Sequence, residues 1–216
     1  MQNIYTESLE QISSRLQIIL EEKHGAREKA LKIARDIIQM SSRSIRAMHR
    51  SEIQNAQEFC SKARAALDEI KTVLHSHPDL YYSGYVLDAQ REYVEAKTVL
   101  SLLSFRPIDS PETLGVEASA YLNGIAEAAS EVRRHLLDCL REGRMERAEA
   151  LLSSMDDIYD VLILFDYPDA ITGGLRRSTD SLRAVLERSR ADLTLTITQA
   201  RLQFAIEQSF DEETRL

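Results

Sequence analysis

The sequence predicts an all-α chain of about seven helices, and three observations carry that expectation. Of its 216 residues only 7 are Gly and 4 are Pro, so turn formers are scarce. Ala, Leu, Glu and Arg, which favour helix, recur from end to end in the absence of any Trp. The breaks that do occur leave long uninterrupted segments; they fall at Gly25, Ser51, Ser76-His77-Pro78, Arg106-Pro107 to Pro111, Gly143, and Tyr167-Pro168 to Gly173-Gly174. At 24.6 kDa the chain can bury a sizeable core, and its length fits one domain over residues 1–216.

The first helix is expected over residues 4–22, stopped by Gly25, and the second over 26–50, stopped at Ser51. A third, 52–75, runs to Ser76-His77-Pro78. Asp79 after Pro78 opens the fourth, 79–104. Asp109-Ser110-Pro111-Glu112-Thr113 supplies cap-type residues ahead of the fifth, 116–142. Gly143 separates it from the sixth, 145–165, and the double glycine introduces the seventh, 174–210. A helix of 25 residues is about 37 Å long, a length suited to an elongated bundle that packs against other subunits.

Cys60 and Cys139 lie far apart in helical surroundings with no C-x-x-C, which argues against a disulfide framework and against zinc. The first residues, MQNIYTESLEQ, lack a basic segment followed by an apolar one, and no window approaches about 18 uncharged apolar residues, so no membrane span is expected. A soluble, cytoplasmic protein is the expectation. The net charge of -8 disfavours non-specific nucleic-acid binding, but the charge is polarised. Residues 1–50 hold nine Lys and Arg against six Asp and Glu, whereas the remainder holds 18 against 29.

Within residues 27–50 the imbalance sharpens to seven basic against two acidic. On a helical wheel Lys32, Arg43 and Arg50 fall within roughly 20° of one another, with Lys29, Arg35 and Arg46 within about 60° on either side. Ile37, Ile38, Ile45 and Met48 occupy the other side and face a core. A solvated face normally mixes Glu with Lys; here Arg dominates, and its planar multi-donor head suits phosphate. Phosphate or RNA backbone contact and a plain solvated face are the two readings of this row. His49, at its end, is read either as an RNA contact or as a partner for terminal helix carbonyls.

Two carboxylate pairs sit one turn apart: Glu92 with Glu95 in REYVEAK, and Glu127 with Glu131 in GIAEAASE. Each pair alone is mildly destabilising, by a few tenths of a kcal/mol on the order of magnitude of helical like-charge pairs. Asp88 extends the first line of acids. If the two helices oppose these faces, four or five carboxylates converge, which is unfavourable without protonation or a cation. Mg²⁺ or Mn²⁺, both oxygen-seeking, would resolve the conflict better than zinc. Such an ion activates water and neutralises phosphate charge. Neighbouring Ala96, Ala126, Ala128 and Ala129 leave room for a ligand; the plainer alternative is a set of ordinary surface glutamates.

REKALKIARDIIQMSSRSIRAMHR (27–50), EYVEA (92–96), YLNGIAEAASEVRR (121–134) and LRRSTDSLRAVLE (175–187) together resemble the translin and translin-associated factor X family over nearly the whole chain. The resemblance implies a seven-helix bundle that assembles into closed, roughly octameric shells. It also implies RNA cleavage with Mg²⁺, the factor X branch carrying the catalytic acids, which here would be Glu92, Glu95, Glu127 and Glu131. All four are present, as in the catalytic branch. Two departures stand out: factor X typically has Asp where this chain has Glu127, and Ala120 precedes Tyr-Leu-x-Gly where Asp is usual.

Nothing else in the sequence offers catalysis: no Ser-His-Asp or Cys-His arrangement and no glycine-rich phosphate loop occurs. Tyr81, Tyr82 and Tyr85 read as packing residues before base-stacking ones, and His75 and His77 as turn markers. His135 beside Arg133 and Arg134 reads as a second basic patch. The expectation is a metal-dependent endoribonuclease for single-stranded RNA, working as a homo-oligomer with Mg²⁺ (or Mn²⁺), alone or with a second translin-family subunit. Its four glutamates would hold the metal, and Lys32, Arg35, Arg43, Arg46, His49 and Arg50 the RNA. The rivals are a non-catalytic nucleic-acid-binding shell and a scaffold whose charged faces serve only subunit contacts.

Overall fold

The computed structural model describes residues 4–213, which form helices and connecting turns with no strand among them. The first element is α1, Ile4–His49, a single helix of 46 residues. It fuses the two segments expected on either side of Gly25. The glycine stays helical because strong helix formers flank it on both sides and nothing lies within 4 Å of the place a Cβ would take. α2 spans Ile53–Val73. The fourth expected helix is split into one turn, α3 (Pro78–Tyr81), and α4 (Gly84–Leu103), because Ser83 turns extended at φ -78 and ψ 153.

Ser110 caps a turn of its own by accepting from the Thr113 amide at 3.3 Å. That turn is α5, Pro111–Leu114, closed by Gly115 in the left-handed conformation. The long α6 then runs Ala118–Arg141 and α7 runs Met145–Leu162. One further turn, α8 (Asp169–Thr172), leads into α9, Leu175–Glu213.

α4 is the central element, packed against α1, α2 and α6, and Val86, Ala89, Val94, Ala96 and Val99 on it are fully buried. α6 in turn packs on α7 and α9. Cys60 and Cys139 are free and buried. From Ala30 onward α1 joins the core through Ile33, Ile37, Ile45 and Met48, whereas its first half leaves Leu9, Ile12, Leu16 and Ile19 exposed by 48% or more. α9 repeats the pattern in reverse: Leu182, Leu186 and Leu193 are buried, Leu202, Phe204 and Phe210 exposed. No helix among the described residues is long and apolar enough to cross a membrane.

Candidate functional site

Three of the four acids meet where one glycine lets α4 and α6 approach. Gly124 of α6 lies so close to α4 that a Cβ there would stand 2.7 Å from both the Arg91 carbonyl oxygen and the Val94 Cβ. Only a residue without a side chain lets the backbones approach in this way. Glu127 follows less than one turn later, so the approach carries it onto the face of α4 that bears Glu92 and Glu95. Carboxylate oxygens of Glu92, Glu95 and Glu127 lie within 4.8 Å of one another, and all three residues are half-buried.

Burial first, then the neighbouring charges of Glu92, Glu127 and Glu131, push the Glu95 carboxyl up to about 8 against the opposing pull of Arg91. Burial likewise raises Glu92 and Glu127, against the pull of Arg91. Arg91 is the local counter-ion: its guanidinium is 3.1 Å from Asp88, 3.1 Å from Glu127 and 3.9 Å from Glu92. One cation among this many acids leaves a net negative site. Its donors are all oxygen and its central carboxyl is forced toward protonation, so the residues present fit a hard divalent cation such as Mg²⁺ or Mn²⁺.

Glu131 stands apart from that trio. It pairs with His49, whose Nε2 lies 2.6 Å from Glu131 Oε1, and the imidazole is 6% exposed. His49 therefore points into the carboxylate site and not along the basic row. The wheel held a signal for this: position 49 lies roughly 100° from Lys32, Arg43 and Arg50, on the side of Ile38 and Ile45.

The rest of the row is exposed on α1 as its periodicity predicts, with Lys32, Arg35, Arg43, Arg46 and Arg50 all open to solvent. Arg50 is occupied by Glu52 at 2.8 and 2.9 Å, and Arg46 donates to Ser42 at 2.7 Å. The Arg43 guanidinium lies 6.0 Å from the Phe59 ring centre. Elsewhere, Arg133 is committed to Ser189 and Asp192 at 2.9 and 2.7 Å. Burial together with Arg147 and Arg144 holds His135 below the usual imidazole range. Tyr81 and Tyr82 pack edge to face at 5.3 Å.

A cleft of about 640 Å³ opens beside the carboxylates, lined on one side by Arg91, Glu95, Glu127 and Glu131. Its other wall is the start of α9, with Arg177, Ser178 and Ser181. Sequence reasoning marked this stretch only as part of a resemblance, without a role.

No protein-family profile matches the chain. Among curated proteins, an uncharacterized protein of Methanocaldococcus jannaschii is 29% identical over 187 residues, covering 85% of this chain and 82% of that protein. Among solved structures, apo-NeC3PO is 21% identical and superimposes with a TM-score of 0.74 over 87% of this chain and 96% of its own, a likeness of fold. AfC3PO, seen in a crystal structure and in a complex with duplex RNA, is 34% identical with a TM-score of 0.79. The match spans 90% of this chain and 98% of the chain in the RNA complex. That degree of identity over almost the full length of both chains, on the same helical fold, makes this protein a member of the translin family to which C3PO belongs.

Proposed function

We propose that the chain is a metal-dependent endoribonuclease of the factor X branch, cutting single-stranded RNA inside a closed homo-oligomer. The observation that carries this reading is the half-buried cluster of Glu92, Glu95 and Glu127, whose oxygens sit within 4.8 Å of one another. Such a cluster is costly to build from carboxylates alone and is suited to a bound cation. The likeness to a protein that forms a complex with duplex RNA supports an RNA ligand, and the exposed Lys32, Arg35, Arg43, Arg46 and Arg50 would track its backbone. The apolar residues left open on α1 and α9 support self-assembly.

Glu92, Glu95 and Glu127 would hold Mg²⁺ or Mn²⁺, which supplies an activated water and charge neutralisation at phosphate when bound. Arg91 keeps Glu127 and Asp88 in place, 3.1 Å from each. His49 fixes Glu131 through Oε1, so Oε2 remains to take the proton of the attacking water. The water oxygen bonds to phosphorus, the bond from phosphorus to the leaving ribose oxygen breaks, and that oxygen is released with a proton from solvent.

Cleavage of labelled single-stranded and duplex RNA by the purified protein, with Mg²⁺ or Mn²⁺ against EDTA, tests the proposal. The wild type should cut in metal alone, single strands faster. The double substitution Glu92→Ala and Glu95→Ala should lose about 100-fold or more of the rate while still binding RNA. Intact RNA binding with no cleavage in either metal would instead assign the chain to the non-catalytic, translin-type shell.

A further inference from the structure

The α9 wall of the cleft is a constructed surface. α9 starts after Gly173 and Gly174, both left-handed at φ +63 and +84, a turn that other residues make only under strain. Asn123, 5% exposed, ties this turn to α6: its Nδ2 donates to the Thr172 carbonyl at 2.7 Å, and its Oδ1 accepts from the Ser178 hydroxyl at 2.7 Å. Further along, Arg133 of α6 reaches Ser189 and Asp192 of α9. The two ties run in the same order along both helices, so α9 lies parallel to α6. Asn123 is one turn before Glu127, and the first turn of α9 is thereby set next to the carboxylates.

Arg177, Ser181 and Val185 are spaced four apart, share one face of α9, and all line the cleft with Glu95, Glu127 and Glu131. Arg91, the other arginine of the cleft, is engaged by Asp88, Glu92 and Glu127. Arg177 is exposed and makes no ion pair or side-chain hydrogen bond with another described residue. A guanidinium beside an acidic cluster, left with all its donors, is available to an anion that enters from solvent. A phosphodiester approaching these carboxylates meets repulsion unless a positive group offsets it. The planar fork of arginine matches two phosphate oxygens at once.

We infer that Arg177 is the phosphate anchor of the cleft, holding an RNA phosphodiester against the carboxylates from the α9 side, with Asn123 positioning it. This rests on the proposed RNA-cleaving function and adds a substrate-binding residue on a helix that carries none of the acids. In a Glu95→Gln background, chosen to suppress the proposed cleavage during the measurement, affinity for a labelled single-stranded RNA is measured by fluorescence anisotropy with Mg²⁺ across a salt series. Adding Arg177→Ala should weaken binding about 3- to 10-fold and lower the slope of log K against log salt by about 0.7. Adding Arg176→Ala, an exposed neighbour outside this cleft, should leave the slope unchanged.

Equal slopes and affinities for the Arg177→Ala and Arg176→Ala proteins would overturn the anchor, even if the wild type cleaves RNA. An Arg177-dependent slope in a protein whose wild type never cleaves would uphold the anchor and overturn the nuclease. No RNA binding at low salt would overturn both.

Discussion

At the scale of single residues, the question is why Glu92 and Glu95 share a helical face when their charges repel. Glu95 answers it: the folded protein forces its carboxyl up to about 8 from an ordinary 4.5. Between those two values the folded state holds a proton that the unfolded state has released, so stability falls as pH rises through the window. Below it both states are protonated and the effect vanishes. Thermal melts in EDTA should therefore show the wild type losing ground to Glu95→Gln as pH climbs, by on the order of 4 °C at the upper end. Added Mg²⁺ should narrow the gap. Parallel melting curves across pH would refute the assignment of a strained carboxyl.

His49 makes a separable prediction. Its bond to Glu131 lies outside the trio of carboxylates, so His49→Ala should leave Mn²⁺ affinity near the wild-type value, measured by calorimetry. The cleavage rate should fall by about 10- to 100-fold, the usual cost of removing a group that orients a functional carboxylate. Glu92→Ala should do the opposite at the metal and lose Mn²⁺ binding. The spacing of the four acids was legible in the sequence, whereas the destination of His49 was not, because a wheel gives its direction from the helix axis but not what lies there.

At the scale of elements, two glycines show why sequence breaks are unequal. Gly25 reads as a helix stop, yet it sits in the middle of α1 with open space around it. Gly25→Ala should raise stability by about 0.5–1 kcal/mol, read as a small increase in Tm. Gly124 is also helical, but a Cβ there would meet the Arg91 carbonyl oxygen and Val94 at 2.7 Å. Gly124→Ala should cost about 1–3 kcal/mol and, by prising α6 from α4, weaken Mn²⁺ binding as well. Equal Tm changes in the two variants would contradict the close approach. The break the sequence reading missed, at Ser83 and Gly84, carried a turn-prone Ser-Gly pair that was outweighed by helix formers on both sides.

At the scale of the whole molecule, the bundle is complete but its two longest helices overshoot it. On α1, Leu9, Ile12, Leu16 and Ile19 alternate spacings of three and four, the pattern of a seam that pairs with another helix. If the chain assembles with copies of itself through this seam, Leu9→Glu with Leu16→Glu should shift its mass in light scattering to smaller species while the far-ultraviolet helix signal persists. An unchanged mass would place the contacts elsewhere. Sequence alone determined what is local: the all-helical character, the pairing of acids one turn apart, the basic row on α1 and the apolar face behind it, since each depends on residues three or four positions apart. The tertiary structure decided what joins distant positions. His49 meets Glu131 across 82 residues and Asn123 meets Ser178 across 55, contacts fixed by how α4 packs on both α1 and α6 and how α6 packs on α9, and not by any periodicity within a helix.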